Sequence, residues 1–217
     1  MSTPKLRAHS ISVSIDGFMA GPHQSEDNPL GVRGQELHHW VFQTATFSRA
    51  HGDIADGTAT GIDDRFAAAG EDGIGATLMG RNMFGPVRDE WPDESWRGWW
   101  GEEPPYHHPV VVLTHHARQP LEMIGTTFYF CTDGLAAGVA QARELAGDKD
   151  VRVGGGASTV RQLLATGELD LLHLAVAPVL LGSGERVFDD LAAINDTYEV
   201  SDVVAGEGAT HVTITKR

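Results

Sequence analysis

The residues best suited to chemistry lie in Val151-Arg152-Val153-Gly154-Gly155-Gly156-Ala157-Ser158-Thr159. A short apolar run feeds three glycines, and the glycines open a helical pattern. Glycines let the backbone come close to a phosphate, and the free N–H groups at a helix start point at it. Ser158 and Thr159 add hydroxyl donors. The same residues also suit a tight strand-to-helix joint with no ligand. The spacing is not the G-x-G-x-x-G fingerprint, and no Gly-Lys-Ser/Thr follows as in a P-loop. A second junction of this kind is Thr77-Leu78-Met79-Gly80-Arg81-Asn82-Met83. Gly80 permits close approach, Arg81 supplies a fork-shaped cation and Asn82 begins a helix. A third piece is Thr114-His115-His116 at a strand end, with Arg118 nearby; it suits either a ribose phosphate or solvent. Two phosphate-compatible turns point to a ligand carrying a pyrophosphate.

Other titratable residues are less telling. The histidines fall in pairs, His38-His39, His107-His108 and His115-His116. Neighbouring residues on a helix or strand point apart, so no metal site is expected. Asp63-Asp64 and Glu102-Glu103 are expected on solvated faces. Glu36 and His39 are spaced to share one helix face, as candidate proton donors or as ordinary surface residues. Cys131 follows a strand without an evident activating partner and is expected to be an inert core thiol. Trp91, Trp96, Trp99 and Trp100 crowd one segment, suited to a lid or a subunit contact.

The elements that must position these residues follow from hydrophobic period. Strands are expected at Leu6–Val13, Thr77–Met79, Val110–Thr114, Thr126–Phe130, Asp150–Val153, Asp170–Ala177, Tyr198–Val204 and Thr210–Thr215. The alternation in the first of these slips phase near Ser10. Helices are expected at Gln35–Arg49, near Asp63–Ala69, and at Gly134–Ala146 and Ala157–Ala165. Strands alternating with helices, then two strands joined by a short glycine turn, give an α/β chain. Its mixed sheet carries helices on both faces and ends in an antiparallel hairpin. No repeat or linker divides residues 1–217, so one domain is expected, with long loops at 22–34, 51–75 and 86–109. The 217 residues carry a net charge of −14, which disfavours nucleic acid and anionic membranes as partners. With one cysteine, no secretory leader and no apolar membrane span, a cytoplasmic setting is expected.

The segments resemble, in order, those of the dihydrofolate-reductase-like superfamily, and more closely the riboflavin-biosynthesis reductase (C-terminal) domain family. The residues that carry the resemblance are Ser14-Ile15-Asp16-Gly17-Phe18-Met19-Ala20, Gly80-Arg81-Asn82-Met83-Phe84, Val111–His115, Val153–Ala157 and Ala177-Pro178-Val179-Leu180-Leu181-Gly182-Ser183-Gly184. The resemblance runs from about Lys5 to Thr215. It implies a dihydrofolate-reductase-like fold with a mostly parallel eight-stranded sheet, a homodimer, and NADPH as hydride donor to a small C=N or C=O substrate of pterin, flavin or pyrimidine type. It implies that Gly80, Arg81, Asn82 and Gly154, Gly155, Gly156, Ala157, Ser158, Thr159 bind the cofactor phosphates. It also places Thr114 and His115 at the adenosine ribose, Met19 and Ala20 beside the nicotinamide, and Asp16, Trp40 and Leu181 near the substrate. Phe18 and Gly154 stand where riboflavin-pathway reductases carry a basic residue and a glutamate. That difference disfavours the ribosyl-reductase activity and points to another bacterial branch of the family. A non-catalytic nucleotide-binding protein of the same fold is the alternative.

Overall fold

In β1 (Leu6–Ser14), Leu6 and Ala8 alternate with Arg7 and His9, then Ile11 and Val13 alternate with Ser12 and Ser14. The phase slip between the two halves is a β-bulge. Ala8 pairs with Leu172 and Ile11 with Leu174, so one residue is extra, and Ser10 has φ 57°. The bulge returns Ile11 and Val13 to the face that Leu6 and Ala8 occupy, so all four enter one core. The computed structural model describes residues 4–52, 55–85, 89–91, 93–189, 191 and 193–217. Residues 86–88 and 92 of the tryptophan-rich loop, and residues 53–54 of the loop expected at 51–75, lie outside these.

The remaining strands are β2 (Phe18–Ala20), β3 (Ile74–Gly80), β4 (Val110–Leu113), β5 (Leu121–Met123), β6 (Thr126–Cys131), β7 (Asp150–Val153), β8 (Leu171–Ala177), β9 (Glu185–Arg186), β10 (Tyr198–Ala205) and β11 (Thr210–Lys216). Nine of them form one sheet in the order β10-β11-β8-β1-β7-β3-β4-β6-β5, while β2 and β9 make a separate ribbon. The six strands from β8 to β6 are parallel. The hairpin β10–β11 closes one edge antiparallel and β5 closes the other. The expected mixed α/β sheet is present with nine strands rather than eight. The extra one, β5, has three residues, too few to show a period.

The helices are α1 (His39–Phe42), α2 (Ala45–Ala50), α3 (Ile62–Glu71), α4 (Arg81–Phe84), α5 (Leu135–Ala146), α6 (Ala157–Ala165) and α7 (Ile194–Thr197). On one face of the sheet, Val139 and Ala142 of α5 and Val160 and Leu163 of α6 meet Leu6, Ile11, Leu78, Val111 and Leu172. The other face carries Trp40 and α3 over β8 and, further along, Phe84 and the tryptophans over β4 and β6. The helix expected over Gln35–Arg49 is instead a 3-10 turn at Gly34–His38, then α1 and α2. Thr44 divides it. Its extended backbone (ψ 144°) breaks the helix, and its Oγ accepts from Phe47 N as an N-cap. Among the described residues, no helix is long and apolar enough to cross a membrane.

One seam in the sheet matters for the site. β1 pairs with β7 only at Leu6–Val151 and Arg7–Arg152, whereas its pairing with β8 runs on to Ser14. Beyond Arg7 the two parallel strands part.

Candidate active-site cavity between the glycine turns

Where β1 leaves β7, a cavity of about 650 Å³ opens at the C-terminal ends of the parallel strands. Both glycine turns line it, the first with Gly80, Arg81 and Asn82, the second with every residue from Gly154 to Thr159. Thr114 and His115 at the end of β4, and Met19 and Ala20 of β2, line the same cavity. Every residue assigned to cofactor binding from sequence is thus brought to one place.

The two turns are joined by backbone bonds, Gly80 N to Gly155 O and Gly154 N to Leu78 O, both 2.9 Å. A Cβ at Gly80 would stand 2.6 Å from Thr159 Oγ1, so a larger residue would push the turns apart. A Cβ at Gly155 or Gly156 would meet nothing within 4 Å. Side chains there would fill the cavity instead of colliding with protein, and Gly155 also needs its φ of +108°. Both properties suit a cradle for a phosphate group. α6 begins at Ala157, after its N-cap Gly156, and adds N–H groups that have no partner within the helix.

Arg81 supplies the charge. Its Cζ lies 3.2 Å from the centroid of the Trp91 ring. Its three guanidinium nitrogens are buried, and none has a hydrogen-bond partner among the described residues. Burial, and then the neighbouring Arg118, lower its pKa from 12.5 to about 10. Arg118 also lies against Trp91, at 4.8 Å, but donates to Glu94 O and does not line the cavity. A buried guanidinium without an acceptor is costly, and a bound anion would relieve it.

The tryptophans are fixed to the wall. Trp91 Nε1 donates to His116 O, Trp96 Nε1 to Phe84 O and Trp99 Nε1 to Met83 O. Trp100 stacks on Phe128 with ring centroids 5.8 Å apart. Trp99 and Trp100 line the cavity. So does Cys131, since β6 runs beside β4 and ends at the same level. Sequence reasoning missed Ser10, Ser12, His38 and Glu185, which also line it. No motif marks them: Ser10 and Ser12 lie where β1 leaves β7, His38 ends the 3-10 turn and Glu185 belongs to the β2–β9 ribbon. His38 Nδ1 lies 3.3 Å from Gly34 O, and burial lowers its pKa, which leaves a neutral ring.

Glu36, His39 and Trp40 are not at this cavity. They line a second one of about 460 Å³ with Asp63, Pro178 and Glu207. Glu36 is held by Arg33, at 2.7 and 2.8 Å, which lowers its pKa. Trp40 separates the two spaces, its Nε1 donating to Ser12 Oγ at 2.9 Å. Asp16 and Leu181 line neither. The Asp16 carboxylate accepts from Leu181 N (3.1 Å) and Gly182 N (2.6 Å), fixing the loop after β8. Its pKa is lowered to about 2 by the Ser14 hydroxyl and these amides.

Asp63 overturns the expectation of a solvated face. It is 5% exposed and accepts from His211 Nε2 (2.8 Å) and Gly208 N (2.7 Å). The hairpin turn also caps α3, because Glu207 accepts from Ile62 N and Asp63 N, both at 3.0 Å. Among the described residues, no cluster of His, Cys, Asp or Glu could hold a metal ion.

Residues 4–204 match the RibD C-terminal domain. Among solved structures, a putative riboflavin biosynthesis protein from Shewanella sp. PV-4 aligns with a TM-score of 0.57 at 18% identity, over 100% of this chain and 99% of that one. A diaminohydroxyphosphoribosylaminopyrimidine deaminase/5-amino-6-(5-phosphoribosylamino)uracil reductase from Thermotoga maritima aligns at 0.54 and 13% identity, over 99% of this chain and 57% of that one. Dihydrofolate reductase from Enterococcus faecalis, complexed with NADP(H) and RAB-propyl, gives 0.40 at 15% identity, over 66% and 74%. No curated protein matches the chain. The family match covers nearly all of the sheet and both glycine turns, and the chain therefore belongs to the RibD C-terminal domain family.

Proposed function

We propose that the protein is a reductase that holds NADPH across the two glycine turns and reduces a small C=N or C=O compound in the same cavity. The observation that carries this reading is Arg81, a buried cation without an acceptor between two glycine cradles. Gly80, Arg81 and Asn82 would hold one phosphate, and Gly154 to Thr159 the other. Thr114 and His115 would border the adenosine ribose, and Met19 and Ala20 the nicotinamide. When bound, the dihydronicotinamide supplies the hydride. The protein's part is to orient the two reactants and limit the access of water, a part that suits the wall of Trp99 and Trp100. The reduced substrate takes up a proton, and the imidazole and carboxylate groups lining the cavity are His38, His115 and Glu185. The family resemblance extends this reading to a homodimer, and the single cysteine to a cytoplasmic setting.

Titration with NADPH and NADH, followed by nicotinamide fluorescence and thermal shift, tests the reading. NADPH is expected to bind in the micromolar range and NADH much more weakly. Arg81→Ala is expected to weaken NADPH more than NADH. Binding of neither nucleotide would overturn the reading, and an equal loss for both would remove Arg81 from the site.

A further inference from the structure

We propose that His173, backed by His211 and Asp63, is a positioning residue that holds the cavity wall at Ser10 in its left-handed conformation. The inference rests on the cavity being the ligand site, as argued above. Ser10 lines that cavity, and it is the extra residue of the β1 bulge, with φ 57°. For a serine that conformation is uncommon and costs energy that the surroundings must offset. The support comes from side chains. Ser10 N donates to His173 Nδ1 at 3.1 Å, and Ser10 Oγ lies 3.3 Å from His9 Nδ1.

The protons along this chain can be placed from one end. A backbone N–H can only donate, so His173 Nδ1 is an acceptor and the ring proton sits on Nε2. His173 Nε2 therefore donates to His211 Nδ1 at 3.0 Å, and His211 Nε2 donates to Asp63 Oδ1 at 2.8 Å. Each bond fixes the tautomer needed by the next, and the chain ends on the amide that sets the bulge.

Packing fixes the rings in place. His173 and His211 are fully buried, and Phe66 stacks on them at 4.7 and 4.2 Å. Filling this space needs no polar atom, and apolar residues would avoid the desolvation of two imidazoles and a carboxylate. What the polar chain adds is an acceptor at one point, opposite Ser10. The glycines around it fit closely. A Cβ at Gly206 would collide with Asp63 Oδ1, and one at Gly70 would stand 3.1 Å from both His9 Nδ1 and Ser10 Oγ.

Two substitutions separate the bond from the packing. His173→Phe keeps the ring and loses the acceptor. His173→Asn loses volume and keeps an oxygen where Nδ1 stood. The readouts are thermal melting, hydrogen exchange of the Ser10 amide, and Kd for NADPH. His173→Phe is expected to deprotect the Ser10 amide and raise Kd about tenfold, on the scale of the left-handed cost of a serine. Adding Ser10→Gly, which takes that conformation freely, is expected to restore Kd. His173→Asn is expected to melt lower yet keep amide protection and Kd. An unchanged Kd in His173→Phe, or no recovery with Ser10→Gly, overturns the proposal. So does lost protection in His173→Asn, and that variant alone decides if His173→Phe does not fold. If the wild-type protein binds no nicotinamide nucleotide, the functional reading fails by itself. Retained Ser10 protection in His173→Phe then overturns the positioning role, and its loss upholds the hold on the bulge.

Discussion

Arg81→Met should make the protein more stable while removing its grip on an anion. The guanidinium's pKa falls from 12.5 to about 10, with burial the larger cause and Arg118 the second. Taken whole, that shift is about 3 kcal/mol against the charged form. The side chain is only partly buried, and solvent screening reduces the figure to about 1 kcal/mol. The three unpartnered nitrogens are part of that same desolvation and are not added to it. Against this stands the stacking on Trp91, worth about 0.5–2 kcal/mol. A methionine thioether recovers roughly 0.3–1.5 kcal/mol of that contact. The balance is a gain of about 1 kcal/mol, or about 2–4 °C in Tm for a chain of this size. A base with a depressed pKa is destabilising while it is charged, so the gain is constant at neutral pH and shrinks above about pH 10. Urea unfolding and thermal melting of the two proteins without ligand give the difference. A Tm that falls by about 2 °C or more would refute the reasoning, since it would make the unpartnered guanidinium a net stabiliser.

Two further outcomes can be checked on the same instruments. Thr44→Ala removes the N-cap of α2 and the bond from Thr44 Oγ1 to Val41 O, and should cost about 1–2 kcal/mol in urea unfolding. Glu207→Gln should lower Tm at neutral pH, because the carboxylate accepts from Ile62 N and Asp63 N and its pKa is depressed by those bonds. A depressed carboxylate stabilises above its unfolded pKa and stops doing so as pH falls through the folded one. The Tm gap between wild type and Glu207→Gln should therefore narrow as the solution is acidified below about pH 4.3.

The cavity was legible where local turn chemistry and chain order coincide. Strand, glycine and helix follow one another at Gly80 and at Gly154–Gly156, and parallel strands bring such ends to one side of a sheet. The bulge was visible as a phase slip in β1, though its purpose was not, because His173 and Ser10 are far apart in sequence and β8 places them together. His173 reads in sequence only as an interruption of an apolar run. Glu36 and His39 have helical spacing, but Thr44 and the 3-10 turn bend that segment toward the second cavity. Asp63 reads as a solvated acid because α3 alone gives it no partner. Its partners come from β11 and from the turn before it. The tryptophan segment reads as a loop because its indoles satisfy carbonyls of α4 and the loop after β4 rather than following any period.

The position of β1 in the sheet has a consequence for how the chain is made. β1 is translated before both strands it will lie between, β7 and β8. The hydrogen bond from Lys5 N to Asp150 spans 145 residues. At ribosomal speed that interval is about 7 to 30 s. During it β1 emerges with no strand to pair with, the condition in which exposed apolar strands find each other. Its own residues reduce that hazard. Arg7, His9, Ser10, Ser12 and Ser14 break the apolar positions, so no stretch of β1 is apolar on consecutive residues. The polar face that later meets His173 and Trp40 thus serves first to keep the nascent strand apart from its copies. Asp63 waits about as long, because the amide and imidazole it needs are translated with the β10–β11 hairpin.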